Sequence, residues 1–376
     1  MDKPLMIQVP FVDLQAQHRA LKEEIARAVE TVMTNCNFVL GHQVTEFEQA
    51  FAQFIGVNHA IGVGDGLSAL KLAIIALGIG RGDEVILPAN TFIATALAVA
   101  QAGAIPVLVD CDADSYNIDP RLIERAITSK TKAIIPVHLT GQSSDLDPVV
   151  GLAKERGLVV IEDAAQAHGA LYKGKPCGSI GDAGCFSFYP AKNLGCCGDG
   201  GMVTTGDAAL AERIRRLGNY GQRVKYEHLE KGENSRLDTL QAAILQIKLP
   251  HLKSWNEARA KHAEEYRERL TGIGDLQFQK VSSFSTHIYH LFVIETEHRD
   301  ALHKHLEASG IQTVIHYPKP IHLQAAFQDL GYGPGDFPVT ERLANKVLSL
   351  PMYAELTLEQ IERVAEETRR YFEFHQ

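Results

Sequence analysis

Lys192 stands where a lysine is seldom placed without a task, at the tip of a strand that reads as buried. The stretch from Gly184 to Thr205 is GCFSFYPAKNLGCCGDGGMVTT. A short apolar strand, Cys185 to Tyr189, leads through a Pro turn to the lysine. A glycine run and a second strand, Met202 to Thr205, follow. Burial disfavours an ammonium and lowers its pKa. A lysine so placed can act as a neutral amine and form a Schiff base with an aldehyde. The stretch also admits a plain reading, a loop lysine beside a Gly-rich turn.

The elements around it alternate. His59 to Val63, Glu84 to Leu87, Ile105 to Val109, Ala133 to Val137 and Leu158 to Ile161 read as strands. Between them lie helical patterns at Leu67–Leu77, Thr91–Ala102, from Pro120 with Asp119 as its cap, and Leu146–Glu155, closed by Gly157. Two amphipathic helices, Leu21–Met33 and Thr45–Ile55, come first, after a mixed leader over residues 1–20. Near-continuous Val/Ile strands separated by helices imply an α/β fold with a mostly parallel sheet covered on both faces. Ligands of such sheets sit beyond the carboxyl ends of the strands. Residues 64–68, 90–92, 163–168 and 187–192 all follow strands, so four polar clusters can meet in one crevice.

Asp207 caps a helix through Arg216, and Asn219–Ser235 reads as a polar loop. A helix over Leu237–Leu249 stops at Pro250, where we place a boundary: residues 1–250 as a large domain and 251–376 as a small α+β domain. The second part reads as a charged helix (Ser254–Leu270), a strand (Ile288–Ile294), a helix (Arg299–Ser309), the loop from His316 to His322 and a helix over Leu358–Phe372.

Composition narrows the partners. The chain has 376 residues, 45% of them hydrophobic and 22% charged, with a net charge of -9. No Lys/Arg block offers nucleic acid a basic face. No apolar run is long enough to span a bilayer, and the start lacks a signal-peptide pattern. The six cysteines form no CxxC pair, so neither a metal site nor a disulfide framework is expected, and free thiols suit a reducing cytoplasm. Cys196 and Cys197, close to Lys192, are left without a role.

A lysine Schiff base raises the question of its aldehyde. Pyridoxal phosphate needs a lysine, an acid partner for its ring nitrogen and a phosphate cradle. Asp163 at a strand end suits the nitrogen. The backbone of Gly66, Leu67 and Ser68 at a helix start, with the Ser187 hydroxyl, suits the phosphate. Phe92 is placed to cover the ring. Each residue alone also has a plain reading: Asp163 a helix cap, Ser187 a satisfied strand hydroxyl, Phe92 core.

These residues sit within longer motifs: PFVDLQAQ, GVGDGLSALKLAI, GDEVILPANTFIATALAV, PVLVD, VIEDAAQAHGA, FSFYPAKNLG, NSRLDTLQAAIL, HYPKPIHLQ and LSLPMYAELT. In order and spacing the chain resembles the DegT/DnrJ/EryC1/StrS sugar aminotransferases, pyridoxal-phosphate enzymes of the aspartate-aminotransferase fold (fold type I). The resemblance implies that Lys192 carries the cofactor and shuttles the proton. It implies Asp163 as partner of the pyridine nitrogen and Gln166 beside the ring hydroxyl. Ser187 and the Gly66-Leu67-Ser68 amides match the phosphate site, and Phe92 the stacking ring. Asn234 matches an asparagine that reaches the neighbouring subunit's phosphate, which implies a homodimer with shared sites. Tyr189 and His316 match residues near the sugar nucleotide, with His322 a further candidate there. Arg236, close to Asn234 in sequence, is a candidate for the donor carboxylates.

Many members of the family have Gly-Thr where this chain has Gly66-Leu67. The GDGLSAL and PANTFIATALAV versions resemble the subgroup that aminates C3 of nucleotide-linked 3-keto-6-deoxyhexoses. The expected reaction takes an amino group from L-glutamate to C3 of a dTDP-linked keto sugar. The alternatives are a C4-specific aminotransferase of the same family and a non-catalytic regulatory protein of the same fold.

Overall fold

The computed structural model describes residues 8–374. The first seven residues of the leader therefore lie outside the described residues. Seven strands build the main sheet: β1 (His59–Val63), β2 (Glu84–Pro88), β3 (Ile105–Val109), β4 (Thr131–Ile134), β5 (Val159–Asp163), β6 (Ala183–Ser187) and β7 (Gly201–Thr205). Their order is β1-β7-β6-β5-β4-β2-β3. Only β7 runs against its neighbours; it is antiparallel to both β1 and β6. The other six strands therefore share one direction, and their carboxyl ends share one edge.

Helices α1 (Leu14–Asn35) and α2 (His42–Ile55) precede the sheet. Next come α3 (Gly66–Ala76), α4 (Ile93–Gln101), the single turn α5 (Pro120–Ile123), α6 (Leu146–Arg156) and α7 (Ala208–Leu217). The strands are apolar and buried almost throughout because helices cover both faces: Leu70, Ala73 and Ile74 of α3 pack with Val85 and Leu87, whereas Val149 and Ala153 of α6 pack with Ile86 and Ile134. Then α8 (Thr239–Lys248) leads into α9 (Leu252–Leu270). A second sheet, β8 (Gln277–Phe278), β9 (Phe292–Glu295) and β10 (Val347–Leu350), is accompanied by α10 (Arg299–Ala308), α11 (Pro338–Lys346) and α12 (Leu358–Phe374). Its core gathers Tyr266, Phe292, Leu302, Leu348 and Ile361. Val9, paired with Ile311, reaches into this second core from the other end of the chain.

Several boundaries differ from the sequence reading for identifiable reasons. Helix α1 starts at Leu14 rather than Leu21, because Asp13 Oδ1 accepts the Ala16 N–H at 2.9 Å and caps it. Pro250 bends the chain instead of stopping it. It sits in one tight turn, Leu249–His251, between α8 and α9. The polar loop holds a small hairpin, Gln222–Val224 against Glu227–His228. Strand β10 and helix α11 were not anticipated.

The end of β5 is braced from below. Glu162 is fully buried and accepts the N–H groups of Gly178, Ile180 and Gly181 at 2.8, 2.7 and 2.8 Å. His138 Nε2 lies 2.9 Å from the same carboxylate. Gly178 has φ +84°, and a Cβ there would meet the Phe186 ring at 2.4 Å, so glycine is required at this turn. Successive strand residues point to opposite faces, so anchoring Glu162 fixes the direction of Asp163.

Candidate active site

Asp163 is the last residue of β5 and is 5% exposed. Its Oδ2 accepts from Thr95 Oγ1 at 2.8 Å and its Oδ1 from the Ala165 N–H at 3.2 Å. Burial raises its pKa, and the Thr95 hydroxyl, the Ala165 amide and the Lys192 charge only partly offset that rise. A carboxylate held in this state favours a cationic N–H donor facing it.

Lys192 lies on the loop after β6. Its own N–H donates to the Tyr189 carbonyl at 2.8 Å, and the Cys196 N–H returns to Phe188 at 2.8 Å. Gly195 allows this tight path, because a Cβ there would fall 2.3 Å from the Pro190 carbonyl oxygen. The next residue, Asn193, is buried and donates to Asn256 Oδ1 at 2.8 Å and to the Ile288 carbonyl at 3.1 Å. The loop is thus pinned to α9 and to the segment that leads into β9. Burial lowers the Lys192 pKa to about 8, with Asp163 pulling the other way. Among the described residues no acceptor bonds its Nζ. About one amine in ten is therefore neutral at pH 7, far more than at the ordinary lysine value.

The start of α3 faces the end of β6. A Cβ on Gly66 would stand 2.7 Å from Ser187 Cβ, so the bare backbone of Gly66 is what lets the two segments approach. The Asp65 carboxylate caps α3. It accepts the Ser68 N–H at 2.8 Å and the Ser68 hydroxyl at 2.9 Å. Ser68 was expected to offer its amide to an anion; that amide is already taken. The Gly66 and Leu67 N–H groups and the Ser187 hydroxyl remain at the mouth.

Phe92, at the N-cap of α4, is 51% exposed, with its ring 5.4 Å from that of Tyr317. Gln166 is buried between two groups: its Oε1 accepts the Thr140 N–H at 2.6 Å and its Nε2 donates to the Tyr317 hydroxyl at 3.1 Å. A large ring left open to solvent at the start of the helix that supplies Thr95 to Asp163 is an arrangement that an aromatic cofactor would complete.

Residues 19–369 match the DegT/DnrJ/EryC1/StrS aminotransferase family. The chain belongs to that family. It is 48% identical to a dTDP-3-amino-3,6-dideoxy-alpha-D-galactopyranose transaminase of Aneurinibacillus thermoaerophilus, over 96% of this chain and 99% of the relative. It is 47% identical to a UDP-N-acetyl-3-dehydro-alpha-D-glucosamine 3-aminotransferase of Acidithiobacillus ferrooxidans, over 96% and 97%. Among solved structures it is similar to S. venezuelae DesV, with TM-score 0.95 and 46% identity over 97% of this chain and 99% of that one. It is also similar to NtdA of Bacillus subtilis, whose structure has bound cofactor PMP: TM-score 0.91, 33% identity, 99% and 86% covered.

Within this DegT/DnrJ/EryC1/StrS aminotransferase the other expected residues are spread more widely. Tyr189 is 56% exposed on the Lys192 loop. His316 is held by Ser349 Oγ at 2.9 Å, and burial and the Lys192 charge lower its pKa to about 4, so it is a neutral imidazole near the amine. Two candidates are not brought to this group. His322 is buried against Phe337 and hydrogen-bonds Glu341 at 3.0 Å, which makes it part of the packing under α11. Arg236 bonds Asn219 Oδ1 at 2.8 Å, stacks over Tyr220, and lines a separate cavity of about 340 Å³ with Arg215 and Gln222. Asn234 is exposed and bridges to Asn219. Thr95, Tyr317 and Asn193 were missed. Thr95 lies inside an apolar helix and Tyr317 in a loop, and their roles depend on contacts far apart in sequence.

Proposed function

We propose that this chain is a pyridoxal-phosphate-dependent aminotransferase that moves an amino group from L-glutamate to C3 of a dTDP-linked 3-keto-6-deoxyhexose. The single observation that carries the reading is the pairing of a lysine whose pKa falls to about 8 with a buried, hydroxyl-braced aspartate. The residues present fit the cofactor. Lys192 would hold its aldehyde carbon, Asp163 its ring nitrogen, and Gly66, Leu67 and Ser187 its phosphate. Gln166 would sit at the ring hydroxyl and Phe92 against the ring face.

When bound, pyridoxal phosphate supplies the electron sink for the carbanion that forms at the amino-acid α-carbon. The chain's own work is positioning and proton transfer. Lys192, once displaced by the incoming amino group, takes the α-proton as a neutral amine. In the second half of the ping-pong cycle it returns a proton to the sugar carbon. Asp163 would face the ring nitrogen and favour its cationic form, and the Thr95 hydroxyl favours the Asp163 carboxylate against the rise that burial causes. Tyr189 and His316 line the approach of the nucleotide sugar, whose remote contacts fix the keto carbon over Lys192.

Residues 1–250 would form the large cofactor-binding domain and 251–376 the small C-terminal domain. Asn234 fits a contribution to a second copy's phosphate site, as part of a homodimer. Exposed Phe38, Leu40, Tyr220, Val224 and Tyr226 support such a contact, because soluble monomers seldom expose so many large apolar groups together. Among the described residues no helix is long and apolar enough to cross a membrane. Six free thiols support a cytoplasmic setting.

Both relatives described above are named for amination at C3, one on a dTDP sugar and one on a UDP sugar. The test is an assay with L-glutamate on paired 3-keto and 4-keto substrates, each linked to dTDP or UDP. Turnover of the dTDP 3-keto sugar well above the other three is expected. Preference for a 4-keto sugar would overturn the regiochemistry, and preference for UDP would overturn the nucleotide.

A further inference from the structure

His290 has no role so far, yet its ring is bonded to the residue next to Lys192. Its Nδ1 lies 3.2 Å from Asn193 Oδ1. The direction of that bond follows from the amides behind it. Asn256 Nδ2 donates to the His168 carbonyl at 2.8 Å, which leaves Asn256 Oδ1 as an acceptor. Asn193 Nδ2 donates to that oxygen and to the Ile288 carbonyl, so Asn193 presents its own oxygen to His290. An amide oxygen only accepts, and His290 Nδ1 must therefore carry a proton. Burial, and then the charges of Lys192 and Arg259, lower the His290 pKa well below 6.5, so the ring is neutral. Among the described residues its Nε2 bonds nothing, and the Asn193 bond is the one hydrogen bond the ring makes.

The segment that carries His290 is firmly seated. The Ile288 and Leu291 N–H groups donate to the Gly141 and Thr140 carbonyls at 3.0 and 3.2 Å. Arg259 of α9 donates to the Tyr289 carbonyl at 3.2 Å and to that of Met352 at 2.8 Å. Tyr289 itself has φ +46°, a left-handed conformation that persists where the surroundings over-determine it. Asn256 and Arg259 stand three positions apart on α9 and so share one face. One helix thus holds both the histidine's segment and the amide that the histidine meets. The titratable groups around Lys192 are Asp163 at the end of β5, His168 in the loop after it, and His290 and His316 from the second part of the chain. Burial lowers the pKa of each of the three imidazoles, so Asp163 is the charge that acts on the amine.

We propose that His290 is a positioning residue of the transamination and acts on Lys192 through Asn193; this rests on the reading of Lys192 as the reacting amine. The Nδ1–H fixes the Asn193 amide in one orientation, and the amide fixes the loop on which Lys192 sits. Asn193 is 2% exposed, so its oxygen has no water to turn to once the imidazole is removed. A buried acceptor left without a donor is costly, and the amide then shifts or admits water to find one. Either change loosens the loop and brings solvent to the amine. Solvent returns the Lys192 pKa toward the ordinary lysine value.

Two substitutions separate the ring's two nitrogens. The amide nitrogen of an asparagine overlies the Nδ1 of a histidine, so His290→Asn keeps the donor to Asn193 and discards Nε2, whereas His290→Leu discards both. The first readout uses cofactor-free protein: the rate at which acetic anhydride labels Lys192 is followed against pH on its own peptide. The native midpoint is expected near about 8. His290→Leu is expected to raise it by about one pH unit or more, toward the ordinary value of about 10.4, and His290→Asn to hold it near the native one. The second readout is kcat with L-glutamate in the holoenzyme. A fall of about tenfold is expected for His290→Leu, with most of it recovered in His290→Asn and no further fall when Asn193→Ala is added to His290→Leu. If His290→Leu does not fold, Asn193→Ala takes its place: it should raise the labelling midpoint where His290→Asn does not. An unmoved midpoint in His290→Leu and Asn193→Ala, equal losses in His290→Asn and His290→Leu, or losses that multiply in the double variant would overturn the proposal. A native protein that labels with a midpoint near 8 but does not transaminate would instead sink the aminotransferase reading, and with it a role for His290 in that reaction.

Discussion

Thr95 Oγ1 donates to Asp163 Oδ2 at 2.8 Å, which ties the first turn of α4 to the carboxylate at the end of β5. Two opposing effects meet in that bond. Burial raises the Asp163 pKa, and the hydroxyl lowers it. A hydrogen bond to a charged group is worth about 1.5–3 kcal/mol. Thr95→Val keeps the volume and removes the donor. We predict a fall in kcat of roughly tenfold or more, by the same magnitude, with weaker cofactor retention. Steady-state kinetics and cofactor occupancy after dialysis check it; unchanged values would remove Thr95 from the account.

The pKa of Lys192, lowered to about 8 by burial, makes a pH prediction for uptake of pyridoxal phosphate by cofactor-free protein. Only the neutral amine reacts. The uptake rate is expected to rise with pH below about 8 and to level off above it. A rise continuing past pH 10, near the ordinary lysine value, would show that the amine is not tuned.

Gly66→Ala tests the phosphate mouth. The added methyl would stand 2.7 Å from Ser187 Cβ, on backbone that both strand and helix hold in place. The expected result is a cofactor Kd raised by about tenfold or more, equivalent to about 1.4 kcal/mol, with little loss of far-UV helix signal. Unaltered affinity would place the phosphate elsewhere.

Glu162→Gln tests the brace beneath β5. Burial alone would raise the Glu162 pKa, but the bonds from His138, Gly178 and Gly181 bring it below its ordinary 4.5. A folded-state value below the unfolded one means that the stabilisation is complete above about pH 4.5 and is lost as pH falls through the folded value. Denaturant unfolding at pH 7 should show the variant about 2 kcal/mol less stable. The gap should narrow in acid; a gap that does not change with pH would contradict it.

The strand that ends at Asp163 was legible because a fully buried parallel strand reads as a run of Val and Ile, and the one that ends at Ser187 because a short apolar run leads into a Pro turn. Lys192 stood out as a lysine just past a short apolar stretch, Cys185 to Tyr189, beside a glycine run. Thr95 was not, since a threonine in an apolar helix gives no sign of its partner 68 positions away. Nor was the role of Tyr317, set by Gln166 across the crevice. His322 misled because a histidine beside a motif looks functional, whereas Glu341 and Phe337 absorb it. Pro250 read as a terminus, but one tight turn carries the chain through it.

The most direct test of the central claim is the absorption spectrum of purified protein before and after L-glutamate, with Lys192→Ala beside it. The account predicts a visible band in the native protein that gives way to a shorter-wavelength band on adding L-glutamate, and a folded Lys192→Ala protein without turnover. A native protein with no visible band after incubation with pyridoxal phosphate, or a Lys192→Ala protein that still transaminates, would contradict it.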